Sequence, residues 1–403
     1  MFKKIYNIIS LTGYFFLREV RAIRKDSGAL LILLGALVIY PLVYSIAYQK
    51  ELVRELKTIV VDQDKSSSSE RLSMFINEAE EIMVVGEVSS MDEAQKLFEE
   101  GKASGILFIP KGFEADLFSG RQADVAVYAD GSYFMLYRQM ISGSMKTIQT
   151  FAAGIEVKKM MLQGMPYKQA IKSRDPISAD FHFLFNSSGG YGSFIMPGLI
   201  IIIIQQTLLI GIGMLGGTEK EKGRFSYLIP KKLSKHEVVP ILLGKSLAYL
   251  ILYLFNCVVT MLWFYNWFDY PDQGNYFHLL MLVIPFLLST IFLGITLSVL
   301  FRKRESSIMF MVFLSLIVMF LSGISWPSYS IPPFLYYLAH IFPTTPMIPA
   351  YLRMRIMGVD FSSIKHEYFI MLIQMIVYFI TAYLAIFWSS KHRAKEMSVI
   401  NKE

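Results

Sequence analysis

Leu199-Ile200-Ile201-Ile202-Ile203-Ile204-Gln205-Gln206-Thr207-Leu208-Leu209-Ile210 lies at the centre of a stretch, 191–216, that holds no charged residue. About 20 apolar residues in a helix cross the hydrocarbon core of a bilayer, and a helix apolar on every side must face lipid or a packed bundle. Working outward, five further stretches have the same character: 28–48, 239–263, 279–301, 306–326 and 368–388. The third span of the six, 239–263, tolerates Lys245, a lysine placed to snorkel towards the interface. Arg302, Lys303, Arg304 and Glu305 separate the fourth and fifth spans, a link short enough only for a helical hairpin. The whole chain is 54% hydrophobic and 18% charged, against about 25% charged in soluble domains. Its mean hydropathy is +0.45. The single cysteine, Cys257, excludes a disulfide scaffold and a Cys-based zinc site.

Residues 49–190 differ in composition. Short β-branched or apolar runs at 58–61, 105–109 and 124–129 read as strands, and 91–100 and 134–162 read as helices. The sequence therefore predicts an α-helical polytopic membrane protein with six transmembrane helices and an inserted α/β extracytoplasmic domain. Its parts are an interfacial helix (1–27), the first span (28–48), the inserted domain (49–190), a five-helix transmembrane domain (191–388) and a tail (389–403).

Lys and Arg orient the spans. Residues 1–27 carry six, 217–238 six, 302–305 three and 389–403 four, while 265–278 carry none and 327–365 three. Basic short loops mark the cytoplasmic side, so both termini are expected inside and 49–190 outside. The inserted stretch has 16 basic and 20 acidic residues. The net charge of +7 is thus a topology signal that needs no nucleic acid. Ser45-Ile46-Ala47 resembles a signal cleavage site, but 27 residues are long for the segment ahead of it, and a retained anchor is expected. In that segment Ile5, Ile8, Ile9, Phe16, Val20 and Ile23 form one face and Lys3, Lys4, Arg18, Arg21 and Arg24 lie elsewhere, as in a helix lying on a membrane surface.

Catalytic and metal motifs are missing. Asp62-Gln63-Asp64-Lys65-Ser66 starts like a calcium loop, yet Ser67 and Ser73 occupy the positions that need Gly and Glu; a strand end followed by helix capping is expected instead. Gly244-Lys245-Ser246 lacks the earlier glycine of a phosphate-binding loop, Val239 standing in its place. The span interiors hold no Asp, Glu or His, which argues against ion-gradient coupling. Their polar residues are amides and hydroxyls. Gln205, Gln206, Asn256 and Ser322 are candidates for an amphiphile's path, against the plainer role of interhelical hydrogen bonding.

The loop 217–238 alternates acid and base through Glu219, Lys220, Glu221 and Lys222, breaks at Gly223, and then carries Arg224, Phe225, Tyr227, Leu228, Ile229 and Pro230. An apolar knob flanked by charge suits docking to a cytoplasmic partner. Here the chain resembles the permeases of type-2 ATP-binding-cassette exporters, in the branch with a large extracytoplasmic domain after the first span. Glu219, Glu221, Gly223, Leu228, Pro230, Leu242, Gly244 and Lys245 match that family's loop, with Lys220 and Arg224 departing from it. Phe185-Asn186 with Tyr191 and Pro197-Gly198, Leu321-Ser322-Gly323 with Pro327, and Phe342-Pro343-Thr344 ahead of Gly358 also match. So do Val60-Val61-Asp62-Gln63-Asp64 and the strand from Gly105 to Pro110.

The resemblance implies a non-enzymatic permease subunit in a bacterial inner membrane. It implies two permease copies, alike or paralogous, each above a cytoplasmic ATPase subunit that binds the ATP and magnesium, with no cofactor in this chain. Export of a drug, lipid or other amphiphile is implied, with room for a periplasmic adaptor. Glu219, Glu221, Gly223, Arg224, Tyr227, Leu228 and Pro230 would couple the permease to that ATPase, and 327–358 would form an outer re-entrant or surface hairpin. The competing class is a membrane sensor or scaffold with a ligand-binding ectodomain, but the 15 residues of 389–403 hold no output domain.

Overall fold

The computed structural model describes residues 2–175, 177, 182, 184–187, 189–221, 237–301 and 303–400. The chain divides into two compact units, Met1–Glu51 with Phe183–Glu403, and Leu52–His182. The first begins with helix α1 (Phe2–Lys25), which gives way at Asp26 to α2 (Ser27–Ala47). The Asp26 carboxylate accepts the Ala29 amide at 2.9 Å and caps the new helix. Leu31–Ala36 of α2 winds as a π-helix.

The second unit is built on a four-stranded sheet. In chain order it contains β1 (Leu56–Asp62), α3 (Ser67–Asn77), β2 (Ile82–Val88), α4 (Met91–Glu99), β3 (Gly105–Ile109), α5 (Phe113–Ser119), β4 (Ala126–Ala129), α6 (Phe134–Leu162) and α7 (Tyr167–Arg174). Strand order is β2-β1-β3-β4, the first three parallel and β4 antiparallel to β3. Val60 and Leu107 pack with Leu72, Ile76, Met140 and Phe151 on one face, and Ile59, Val61 and Ile106 with Ala94 on the other. Both faces are covered, as a parallel sheet requires. The three expected strands and both expected helices are present, and α3 begins at the cap expected after β1; β2, α5 and α7 are additional.

At the ends of β1 and β3 the carboxylates are taken up by backbone amides and serine hydroxyls. Asp64 accepts the amides of Gly112 and Glu114 at 2.7 and 3.0 Å, and Glu114 accepts the Ser68 amide at 3.1 Å. Each acid thus caps the helix start beside the other's chain segment. Ser66 and Ser69 cap α3 reciprocally. Among the described residues no group of acids, histidines or cysteines is arranged to hold a metal.

The first unit resumes with α8 (Tyr191–Glu221), α9 (Val238–Trp267) and α10 (Tyr276–Ser298). After these come α11 (Arg304–Leu321), α12 (Pro333–Ala339), α13 (Thr344–Ile356) and α14 (Lys365–Ile400). Among the described residues six segments are long and apolar enough to cross a membrane: α2, α8, α9, α10, α11 and the Phe361–Ser389 part that contains α14's start. The central one, α8, buries nearly its whole length, Ile200 to Leu209 included. Its start meets the end of α2. Glu51 accepts the Ser193 amide and hydroxyl at 3.1 and 2.8 Å, while its own carbonyl accepts the Tyr191 amide at 2.9 Å. Gly190 permits that approach, since a Cβ there would stand 1.9 Å from a Glu51 carboxylate oxygen.

Between α12 and α13 the chain turns at His340–Pro343 inside the helical unit, and side chains satisfy its backbone. Gln374 donates to the His340 carbonyl at 2.6 Å, Tyr378 to that of Ile341 and Thr345 to that of Ala339 at 2.6 Å.

Candidate functional site

Two clusters of ionised side chains sit at the end of the helical unit where α1, the end of α8, the start of α9 and the start of α11 meet. We refer to this as the basic end. In the first cluster, Glu19 of α1 is buried between Phe15 and Ile23, at 2% exposure. Its carboxylate accepts Lys245 Nζ at 2.6 Å and Tyr249 Oη at 2.7 Å, both on α9. Two residues of sequence make this contact possible. Lys245 supplies the countercharge, and Gly244 lets the helices touch, because a Cβ there would lie 2.6 Å from the Thr12 carbonyl. The expectation that Lys245 snorkels is therefore corrected: a buried acid holds it. The face of α1 assigned to the membrane surface also divides, with Ile23 buried, Phe16 and Val20 half-buried, and Ile8 and Ile9 exposed.

In the second cluster, Arg304 at the start of α11 makes a two-pronged contact with Asp26, at 2.5 and 2.9 Å, and also donates to Thr218 Oγ1 of α8 at 3.1 Å. Two residues further along α8, Lys220 donates to the Val299 carbonyl just past α10. The last two turns of α8 are thereby fastened to α2, α10 and α11. A polar cavity of about 460 Å³ opens here, bordered by Lys25, Asp26, Thr218, Glu219 and Arg304.

Of the residues expected to couple to a partner, Glu219 is half-buried beside this cavity and Glu221 is exposed at the last position of α8. Gly223, Arg224, Tyr227, Leu228 and Pro230 lie outside the described residues. The candidate path residues do not converge. Gln205 accepts the Thr344 amide at 3.0 Å, Asn256 donates to the Leu33 carbonyl in the π-helical part of α2 at 2.9 Å, and Ser322 donates to the Met319 carbonyl at 2.8 Å. Gln205 and Asn256 brace the bundle by contacts between helices, while the Ser322 bond closes within its own helix end. Gln206 differs: it is 7% exposed, and neither of its amide atoms has a hydrogen-bond partner among the described residues.

At the opposite end Arg355 of α13 is fully buried. It pairs with Asp272 at 2.6 Å and lies 3.7 Å above the Tyr265 ring. The Tyr265 and Tyr351 hydroxyls are 3.1 Å apart beside it, and Gln273 donates its amide to the Arg355 carbonyl at 2.8 Å. The link between α9 and α10 is thus riveted to α13.

The family model described as ABC-2 family transporter protein matches residues 28–384. The chain belongs to this family. No curated protein sequence matches it. As an ABC-2 family member, it is a multi-pass membrane component of a transporter. Gly244 and Lys245, in the segment expected to open the third span, are the two residues that seat α1.

Sequence reasoning missed Glu19, Asp26, Arg304, Asp272 and Arg355 as partners. One signal was available: Glu19 is the only acid of α1, and it falls on the helix face that carries Phe15 and Ile23. Asp272 and Arg355 are separated by 83 positions, and nothing local marks them as a pair.

Proposed function

We propose that this ABC-2 protein is the permease subunit of an exporter that moves an amphiphile, such as a drug or lipid-like molecule, outward. The ATP is hydrolysed on a separate cytoplasmic subunit, and two permease copies act together in a bacterial inner membrane. The basic end faces the cytoplasm with both chain termini, and the 52–182 unit faces outward as an α/β domain. The observation that carries this reading is the fastening of α8. The loop that follows Glu221 is the surface offered to the ATPase, and a push there reaches α2, α10 and α11 at once through Arg304, Asp26 and Lys220.

Glu219, Glu221, Gly223, Arg224, Tyr227, Leu228 and Pro230 are the coupling residues in this proposal. Gln206 is the path residue best supported, because an amide buried without a partner costs about 1–3 kcal/mol and is retained where something intermittently satisfies it. Co-expression with a cassette ATPase subunit, reconstitution in proteoliposomes and assay of amphiphile-stimulated hydrolysis test the reading. Hydrolysis that is indifferent to the permease and to every amphiphile tried would overturn it.

A further inference from the structure

We propose that the exposed side of α1 binds anionic phospholipid headgroups at the basic end. The proposal rests on α1 being an interfacial helix. The only acid of α1, Glu19, is turned inward and neutralised by Lys245. What remains outward is positive: Arg21, Arg24 and Lys25 are exposed and Arg18 is half-buried. No ion pair among the described residues takes up any of these four.

Tyr14 and Leu17 stand among the bases at 59% and 54% exposure. Residues 14, 18, 21 and 25 are spaced by three or four, as are 14, 17, 21 and 24, so all six share one side of the helix. A purely solvated helix has no use for that tyrosine and leucine, whereas the boundary between headgroups and acyl chains accommodates both kinds of side chain.

Depth supports the same occupant. Lys25 is two residues before Ser27, where the first span begins, which places the row at the level of lipid phosphates. Lysine and arginine side chains at that level are drawn to an anionic lipid surface by their charge. The neighbouring cavity is not the anion's seat, because Asp26 and Glu219 border it as well as Lys25 and Arg304. Lipid bound along α1 would act on the bundle through the Glu19–Lys245 contact and the close packing at Gly244.

The test uses the purified full chain in nanodiscs of phosphatidylcholine with increasing phosphatidylglycerol, the retained phosphatidylglycerol being counted by lipid mass spectrometry. Each base near an anionic surface is worth about fivefold in affinity. Arg21→Gln/Arg24→Gln/Lys25→Gln should weaken retention about a hundredfold, and Arg21→Lys/Arg24→Lys should keep it. Should the triple variant not fold, Arg24→Gln alone is expected to lose about fivefold. Unchanged retention in the glutamine variants overturns the proposal, as does loss in the lysine variant, which would show that charge is not the determinant. Glutamine variants that hold phosphatidylglycerol but no longer co-purify with an ATPase subunit would assign this face to a protein instead. The readout involves neither ATP nor transport, so failure of the exporter reading leaves it standing.

Discussion

The ammonium group of Lys245 lies 2.6 Å from the carboxylate of Glu19, so the helix that precedes the first span is fastened to the third. Removing one partner of a buried pair costs about 3–5 kcal/mol. The Lys245 side chain keeps 16% exposure, which favours the lower figure. Lys245→Met should therefore destabilise the protein by about 3 kcal/mol, read as thermal unfolding in detergent. Glu19→Gln/Lys245→Met should recover most of the loss. A double variant no better than the single would show that the ion pair is not what holds α1.

Asp272 and Arg355 should respond unequally. The Arg355 side chain is 1% exposed and that of Asp272 18%. An orphaned Asp272 can hydrate, while an orphaned Arg355 cannot. Asp272→Asn is expected to lower the melting temperature more than Arg355→Met does, with about 3–5 kcal/mol lost in the first case. The reverse order would place the strain elsewhere.

Acid should weaken the 52–182 unit in a defined direction. Partial burial raises the pKa of Asp64, but hydrogen bonds from Ser66 and from the Glu114, Gly112 and Phe113 amides outweigh it, holding the group below its ordinary 3.8. Hydrogen bonds from Ser68 and Ser67 likewise hold Glu114 below 4.5. A carboxylate with a depressed folded pKa contributes stability above its unfolded value, and that contribution disappears as pH falls through the folded value. Stability should be level above about pH 5 and fall below pH 4, and the fall should be shallower in Asp64→Asn. An identical acid profile for that variant would contradict the capping role.

Gln206→Leu separates stability from transport. Replacing an unpartnered buried amide with an apolar side chain of similar size should leave stability unchanged or raise it by up to about 1–3 kcal/mol. If Gln206 touches the substrate, amphiphile export should drop in the same protein. Full export would remove Gln206 from the path.

Glu221 is exposed at the end of α8, and surface substitutions usually change stability by no more than about 0.5 kcal/mol. Glu221→Ala should leave melting nearly unaltered while uncoupling ATP hydrolysis from transport, and Gly223→Val should uncouple it more severely. Wild-type transport in both would withdraw the docking assignment.

The spans were legible because a run such as Leu199–Ile204 declares its surroundings by composition alone. Within the 52–182 unit, β1 and β3 were legible for the same reason, being buried runs of apolar and β-branched residues. β2 was not: its Val85, Gly86 and Glu87 are exposed, and its pairing with β1 shifts register near Gly86. The ionic contacts were invisible because each joins residues far apart in sequence. Gln205 and Asn256 show the converse limit. Their residue type suggests a polar path, whereas the backbone groups they meet, the Thr344 amide and the Leu33 carbonyl, are set by the facing helix.

The hydrogen bonds between Glu51, Tyr191 and Ser193 make the ends of the inserted stretch neighbours. The gap between the first two spans is therefore closed whatever the length of chain running from 52 to 190. Doubling such a loop adds only about 0.6 kcal/mol of closure entropy. The membrane-spanning part is, in this respect, a chassis with a socket. Its connectivity would accept modules of very different size at this position, so what is inserted between the first two spans can diversify while the remaining spans stay as they are.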